Sequence, residues 1–118
     1  MNIEGKVWGS TRPLLQTPAI EIHQIRIDKG GFCSTHAHQS KINAFYVLEG
    51  ELIIKRHKNY GLVDETILHM NEMCVVPAGE KHSFEARYAT LALEIYWAEL
   101  NFNDIIRDNF YHVSSYIN

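Results

Sequence analysis

Residues 30–50, GGFCSTHAHQSKINAFYVLEG, carry the reading that decides the fold. His36 and His38 are separated by a single residue, Gly30 and Gly50 bracket the stretch, and Asn43 lies between the second imidazole and the closing glycine. In a β-strand, side chains at i and i+2 point to one face, so both histidines can address one ion inside a barrel. Asn43 can join them if a turn within Gln39-Ser40-Lys41-Ile42 brings the chain back. A second stretch, Pro77-Ala78-Gly79-Glu80-Lys81-His82, delivers a third imidazole from another strand, steered by the Pro-x-Gly turn. Divalent first-row ions accept imidazole nitrogen at about 2.0–2.2 Å, and three such ligands leave positions open for water or substrate.

Strand signals dominate the remainder. Ile20–Ile27, Ala44–Ile54, Thr66–Leu68, Met73–Val76 and Tyr88–Trp97 are rich in β-branched and aromatic residues. Turn residues separate them: Asp28-Lys29-Gly30-Gly31, Glu49-Gly50, Lys58-Asn59-Tyr60-Gly61 and Pro77-Ala78-Gly79. Short strands at near-regular spacing, without a long helical period, predict an all-β antiparallel barrel or double-sheet sandwich. Residues 1–19 contain Pro13 and Pro18 and are expected to form an N-terminal arm or edge strand. The barrel is expected over 20–97. Residues 98–118 form a C-terminal tail, in which Asp104–Phe110 can make either a short helix capped by Asn103 or Asp104 or a strand that packs on a partner.

Composition excludes several function classes. The chain has 118 residues, room for one core. Eleven basic residues against 14 acidic ones, a net charge of −3, and a longest basic run of only Lys55 to Lys58 argue against a nucleic-acid partner. No apolar stretch approaches the ~20 residues that span a bilayer, and the first residues lack a signal-peptide pattern, so a cytoplasmic address without membrane contact is expected. Cys33 and Cys74 are too few for a disulfide framework and too far apart for a Cys-x2-Cys clip.

The two stretches together resemble the paired motifs of the cupin superfamily, Gly-x5-His-x-His-x(3,4)-Glu-x6-Gly and Gly-x5-Pro-x-Gly-x2-His-x3-Asn, over about Ile20 to Trp97. The resemblance implies a single-domain antiparallel double-stranded β-helix, a jelly-roll-like barrel. It also implies a divalent transition metal (Zn, Fe, Mn or Ni) held by His36, His38, His82 and the residue at the glutamate position, here Asn43. Two further positions depart from the motifs. Asn71 stands at the first glycine of the second motif and Ala86 at its final asparagine; Asn tolerates positive φ, so the turn at Met70-Asn71-Glu72 can survive.

Asparagine in place of glutamate changes the charge of the site. Neutral imidazoles and a neutral amide leave a divalent ion at +2, so metal is held more weakly and an anionic small-molecule ligand is favoured. Glu49 shares the face of Asn43, yet six residues put it roughly 20 Å along the strand. Glu94 belongs to the more polar face of its run (Tyr88, Thr90, Ala92, Glu94, Tyr96), opposite Ala89, Leu91, Leu93, Ile95 and Trp97. The counting does not say which face looks inward, and the ordinary preference of a carboxylate for water places Glu94 outside. Cys33, one residue out of phase with His36 and His38, is expected to point away from the site. His23, His57, His69 and His112 are expected at the surface or in local hydrogen bonds, and Phe45, Val47, Phe84 and Ile95 in the core.

The chemistry can then run in two directions. With three histidines and no acidic ligand, the resemblance implies a metal-dependent enzyme of dioxygenase type, and an isomerase or lyase using the metal as Lewis acid is equally compatible, acting on a small organic molecule. The same histidines equally suit a non-catalytic module that binds metal or a small ligand. A homodimer is expected, with Phe102, Phe110, Tyr111 and Tyr116 offering an aromatic contact.

Overall fold

The computed structural model describes residues 2–98, 103, 104, 106 and 107. Nine strands follow one another: β1 (Glu4–Lys6), β2 (Gly9–Gln16), β3 (Ile20–Ile27), β4 (Ile42–Glu49), β5 (Leu52–His57), β6 (Val63–Leu68), β7 (Met73–Val76), β8 (His82–Glu85) and β9 (Thr90–Trp97). The fold is all-β. A six-stranded sheet ordered β1-β2-β3-β9-β4-β7 faces a three-stranded sheet ordered β6-β5-β8, and every pairing is antiparallel. This is an antiparallel double-sheet arrangement, as the strand pattern predicts, and the jelly roll that the resemblance implies. No helix among the described residues is long and apolar enough to cross a membrane.

The core lies between the sheets. Ile25, Ile27, Phe45, Val47, Leu52, Ile54, Val76 and Phe84 pack there, drawn from alternate positions of facing strands. Phe45, Val47 and Phe84 are core as expected, whereas Ile95 is only half-buried, because its set of side chains points to the outer face of the six-stranded sheet. Alternation is set by the partner strands. Ala92 and Thr90 sit opposite buried Ile25 and Ile27, so the even-numbered residues of β9 look inward.

The N-terminal residues form two strands at one sheet edge. Pro13 lies beyond the reach of β1, which pairs only with Gly9–Thr11, and beside a register shift in β2, so its missing N–H interrupts no central ladder. Between β4 and β5 the chain turns at Gly50, crossing from one sheet to the other, so the run Ala44–Ile54 is two strands. Asn71 adopts φ 68°, the left-handed conformation that Asn tolerates, and its N–H bonds Val47 O at 2.7 Å. The tail readings, the helix over Asp104–Phe110, His112 and the aromatics Phe102, Phe110, Tyr111 and Tyr116, lie wholly or mostly outside the described residues.

Gly50 and Gly79 share a left-handed φ, 90° and 84°, but differ in surroundings. A Cβ on Gly50 would meet Ala89 O and Thr90 Oγ1, both at 2.7 Å, while one on Gly79 would meet nothing within 4 Å. Gly79→Ala should therefore cost about 1 kcal/mol, the backbone term alone, and Gly50→Ala roughly 3 kcal/mol, since the turn must also move away from β9. Urea unfolding of the two variants checks this; equal losses would show that the contact at Gly50 relaxes freely.

Candidate metal centre

The two sequence stretches meet at one end of the barrel. His82 opens β8 and is buried; His36 and His38 lie on the segment that crosses from β3 to β4. That segment is not a regular strand. It touches β8 at two isolated bridges, Phe32 to Glu85 and His36 to His82, and the register slips by one residue between them. The slip is a β-bulge, a device that re-aims side chains. As a result Cys33 turns inward together with His36, against the expectation from simple alternation. Its Sγ accepts the Phe84 N–H at 3.2 Å, and burial pushes the thiol pKa up.

One ligand nitrogen from each of His36, His38 and His82 can be chosen so that all lie within 4.8 Å of one another. Ring orientation is set by the backbone. His36 Nδ1 donates to Ser34 O at 2.8 Å and His82 Nδ1 to Glu80 O at 3.0 Å, which leaves each Nε2 lone pair free, the usual way in which a ligating imidazole is held. His38 Nε2 is buried with no hydrogen-bond partner. Burial, followed by the neighbouring imidazoles, lowers the pKa of His38; burial also lowers that of His82. Neutral rings are what a metal requires.

Asn43 stands beside this group, fully buried at the start of β4 after the bend at Gln39-Ser40. Its Nδ2 faces Ile95 O at 3.3 Å and Ala44 O at 3.4 Å, and its Oδ1 lies 3.0 Å from His82 Nε2. Both nitrogens of His82 thus face carbonyl oxygens, although a neutral imidazole has one N–H to give. The contact suits a divalent ion, which His82 Nε2 and Asn43 Oδ1 would help to hold. The orphaned nitrogen of His38 and this paired contact both fit a divalent ion.

Glu94 corrects the expectation from sequence. It is turned into the barrel, across from His23, and lines a cavity of about 290 Å³ with His36, Cys33, Trp8 and Tyr96. Burial raises its pKa, opposed by the nearby Tyr96 hydroxyl and by His23 and His36. Burial likewise pushes Tyr96 up, aided by Glu94, and the Tyr96 ring packs edge-on to His38 with centroids 4.9 Å apart. Glu94 belongs to no group of clustered ligand atoms among the described residues, though it shares the cavity with His36. Glu49 lies exposed at the far end of β4, as the strand arithmetic required. His23 bonds Glu21 at 3.2 Å, His69 bonds Glu72 at 3.3 Å, and His57 lines a separate cavity of about 460 Å³ beside Lys55 and Phe32.

Sequence reasoning missed Glu94, Tyr96 and Trp8. For the first two the signal was present: Glu94 and Tyr96 alternate with Ala92, whose side chain is small enough for a crowded interior, but only the register with β3 fixes the direction.

The family model for the cupin domain matches residues 23–99. No curated protein matches the chain. Among solved structures, KdgF from Halomonas sp. is similar with a TM-score of 0.73 at 15% identity, covering 85% of this chain and 90% of that one. An RmlC-like cupin from Shewanella frigidimarina gives 0.70 at 21% identity, covering 83% and 84%. An oxalate decarboxylase from Bacillus subtilis, a protein with Mn(II) centres, gives 0.74 at 14% identity, and this chain spans 27% of its length. At these identities the likeness concerns the fold.

The lowered pKa values of His38 and His82 set a pH dependence. The unfolded chain binds their protons first, so metal-free protein keeps this contribution above about pH 6.5, the ordinary imidazole value, and loses it as the pH falls toward the folded values. Urea midpoints of chelated protein should therefore drop between about pH 7.5 and 5.5, and less so in His38→Gln/His82→Gln. A double variant with an unchanged slope would assign the acid sensitivity elsewhere.

Proposed function

The chain belongs to the cupin family, and from that premise we propose that it binds one divalent transition metal through His36, His38 and His82, with Asn43 beside them, and acts on a small anionic organic molecule. The single observation that carries this reading is the convergence of one nitrogen from each of three imidazoles within 4.8 Å, two of the rings oriented by backbone carbonyls. When bound, the ion would supply Lewis-acid polarisation of a ligand oxygen, and the open positions of a three-histidine site leave room for that oxygen.

The residues of the chain define what such a ligand meets. The neutral donors leave the ion's charge uncompensated, which favours an anionic partner. Trp8 and Phe84, edge to face at 5.1 Å, form an apolar wall of the cavity and limit water there. Cys33 sits in that wall as a thiol held protonated by burial, inert unless the cavity contents activate it. Reactions of dioxygenase, isomerase or lyase type all begin by fixing a substrate oxygen in such a site. The second reading, a binding module without turnover, is favoured by Asn43, whose amide is a weak ligand for these metals.

Protein purified without chelator or affinity tag should carry about one equivalent of transition metal per chain, and His36→Ala or His82→Ala far less. Mass spectrometry of the metal content decides; below about a tenth of an equivalent, the reading fails. Retained metal with no turnover of any small carboxylate supplied would select the binding module.

The same reading includes a homodimer in the cytoplasm. Cys33 and Cys74 are free thiols, in keeping with a reducing compartment. The outer face of the six-stranded sheet presents Ile22, Tyr46, Val75, Leu93, Ile95 and Trp97, an apolar surface suited to a second copy. Sedimentation should give twice the chain mass at micromolar concentration, and Ile95→Lys should halve it; a monomeric parent protein overturns the dimer.

A further inference from the structure

The cavity next to the three imidazoles contains a second recognition element that the metal reading does not use. Glu94 and Tyr96 are consecutive inward positions of β9, a strand hydrogen-bonded on both sides, by β3 and by β4. Their placement is therefore as rigid as the sheet. The cavity they line includes His36 and is bounded by His23, Cys33 and Trp8. Lys6, the cation on its rim, is paired with Glu4 at 3.1 Å, so the carboxyl of Glu94 has no dedicated ion-pair partner inside. Burying a carboxyl opposes folding, and the Tyr96 hydroxyl, His23, His36 and Lys6 offset that cost only in part, its pKa staying raised. Such a residue is a candidate for function. Geometry narrows which function, because Glu94 lies outside the cluster of ligand atoms yet inside a cavity that one member of the cluster, His36, lines.

We propose that Glu94, beside Tyr96 on the inward face of β9, is the specificity-determining contact of this cavity, accepting a hydrogen bond from a hydroxyl of a small hydroxycarboxylate whose carboxylate addresses the three-histidine site. The inference rests on the metal reading for the carboxylate end and adds the recognition of the hydroxyl end. A carboxyl accepts through oxygen whether ionised or not. A ligand lacking the hydroxyl leaves this buried acceptor capacity unused, which is the kind of mismatch that discriminates strongly. With about 290 Å³ available, the cavity is at the small end of ligand pockets and suits molecules of a few carbons.

Lactate and propionate differ only in the hydroxyl and serve as probes. Cobalt(II) content is measured first, then binding of each acid to the loaded protein by calorimetry, for the parent protein, Glu94→Leu and Glu94→Gln. Chelation of cobalt by the lactate hydroxyl is common to all three proteins, so the change in the lactate-to-propionate ratio isolates residue 94. We expect the ratio to fall about tenfold or more in Glu94→Leu, with cobalt content unchanged, and to recover in part in Glu94→Gln, whose amide oxygen still accepts. Metal-free Glu94→Leu should also unfold at a higher urea concentration than the parent, because a buried carboxyl is replaced by an apolar group. An unchanged ratio with full cobalt content overturns the role of Glu94 and leaves the metal reading standing. Failure of the parent protein to take up cobalt overturns the metal reading and the carboxylate end of this inference with it. A lower unfolding midpoint in metal-free Glu94→Leu identifies Glu94 as a structural residue and overturns its assignment as a recognition element.

Discussion

His36 and His82 exchange two backbone hydrogen bonds, His36 N–H to His82 O at 3.0 Å and His82 N–H to His36 O at 2.8 Å, and the site depends on that pair. It pins an otherwise irregular crossing segment to the start of β8, so two imidazoles from one part of the chain meet a third from another. Further bonds continue the attachment on both sides: Cys33 N–H to Phe84 O and Ala86 N–H to Gly31 O toward β9, and Gly79 N–H to His38 O before β8. A regular ladder would not have sufficed. The one-residue slip between the two bridges turns Cys33 inward and lets the segment pass across the barrel mouth while keeping its backbone groups bonded.

Asn43 performs a second task that a glutamate could not. Its amide donates toward the carbonyls of Ile95 and Ala44 and presents Oδ1 to His82 Nε2, so one side chain bridges β9, β4 and β8. A carboxylate there would face two carbonyl oxygens without a proton to give. The substitution at the motif's acidic position is thus coupled to local hydrogen bonding, and the neutral donor set follows from the packing around β4. With a metal bound as proposed, charge compensation would then fall to whatever occupies the cavity.

The sequence made much of this legible and some of it not. The glycine frame, the His-x-His pair and the Pro-x-Gly turn encode local geometry with strong residue preferences, so the barrel and the three imidazoles could be read directly. The Asn71 turn was legible for the same reason, since few other residues accept its φ. Cys33 and Glu94 were not, because each depends on a long-range fact. Cys33 needed the register slip against β8, fifty residues away. Glu94 needed to be placed opposite His23 and in line with Ala92, whose burial comes from Ile25. Polarity misled there for a physical reason: β9 carries an apolar set outward and a mixed set inward, the reverse of a strand with one wet face.

That reversal ties the site to the outside of the molecule. Ile95, on the apolar outer set of β9, lies between Glu94 and Tyr96, and its carbonyl receives the Asn43 amide. Whatever covers the outer face of the six-stranded sheet therefore bears on the same three residues of backbone that position the cavity carboxyl, its tyrosine and the asparagine beside His82. A strand paired on both sides resists independent movement of its two faces, because a shift of one side chain's backbone displaces the ladder bonds of both neighbours. Burial of Leu93, Ile95 and Trp97 by a second copy would stiffen the frame from which Glu94 projects. If the proposed dimer and ligand site both hold, association and ligand recognition would in that sense be two properties of one strand.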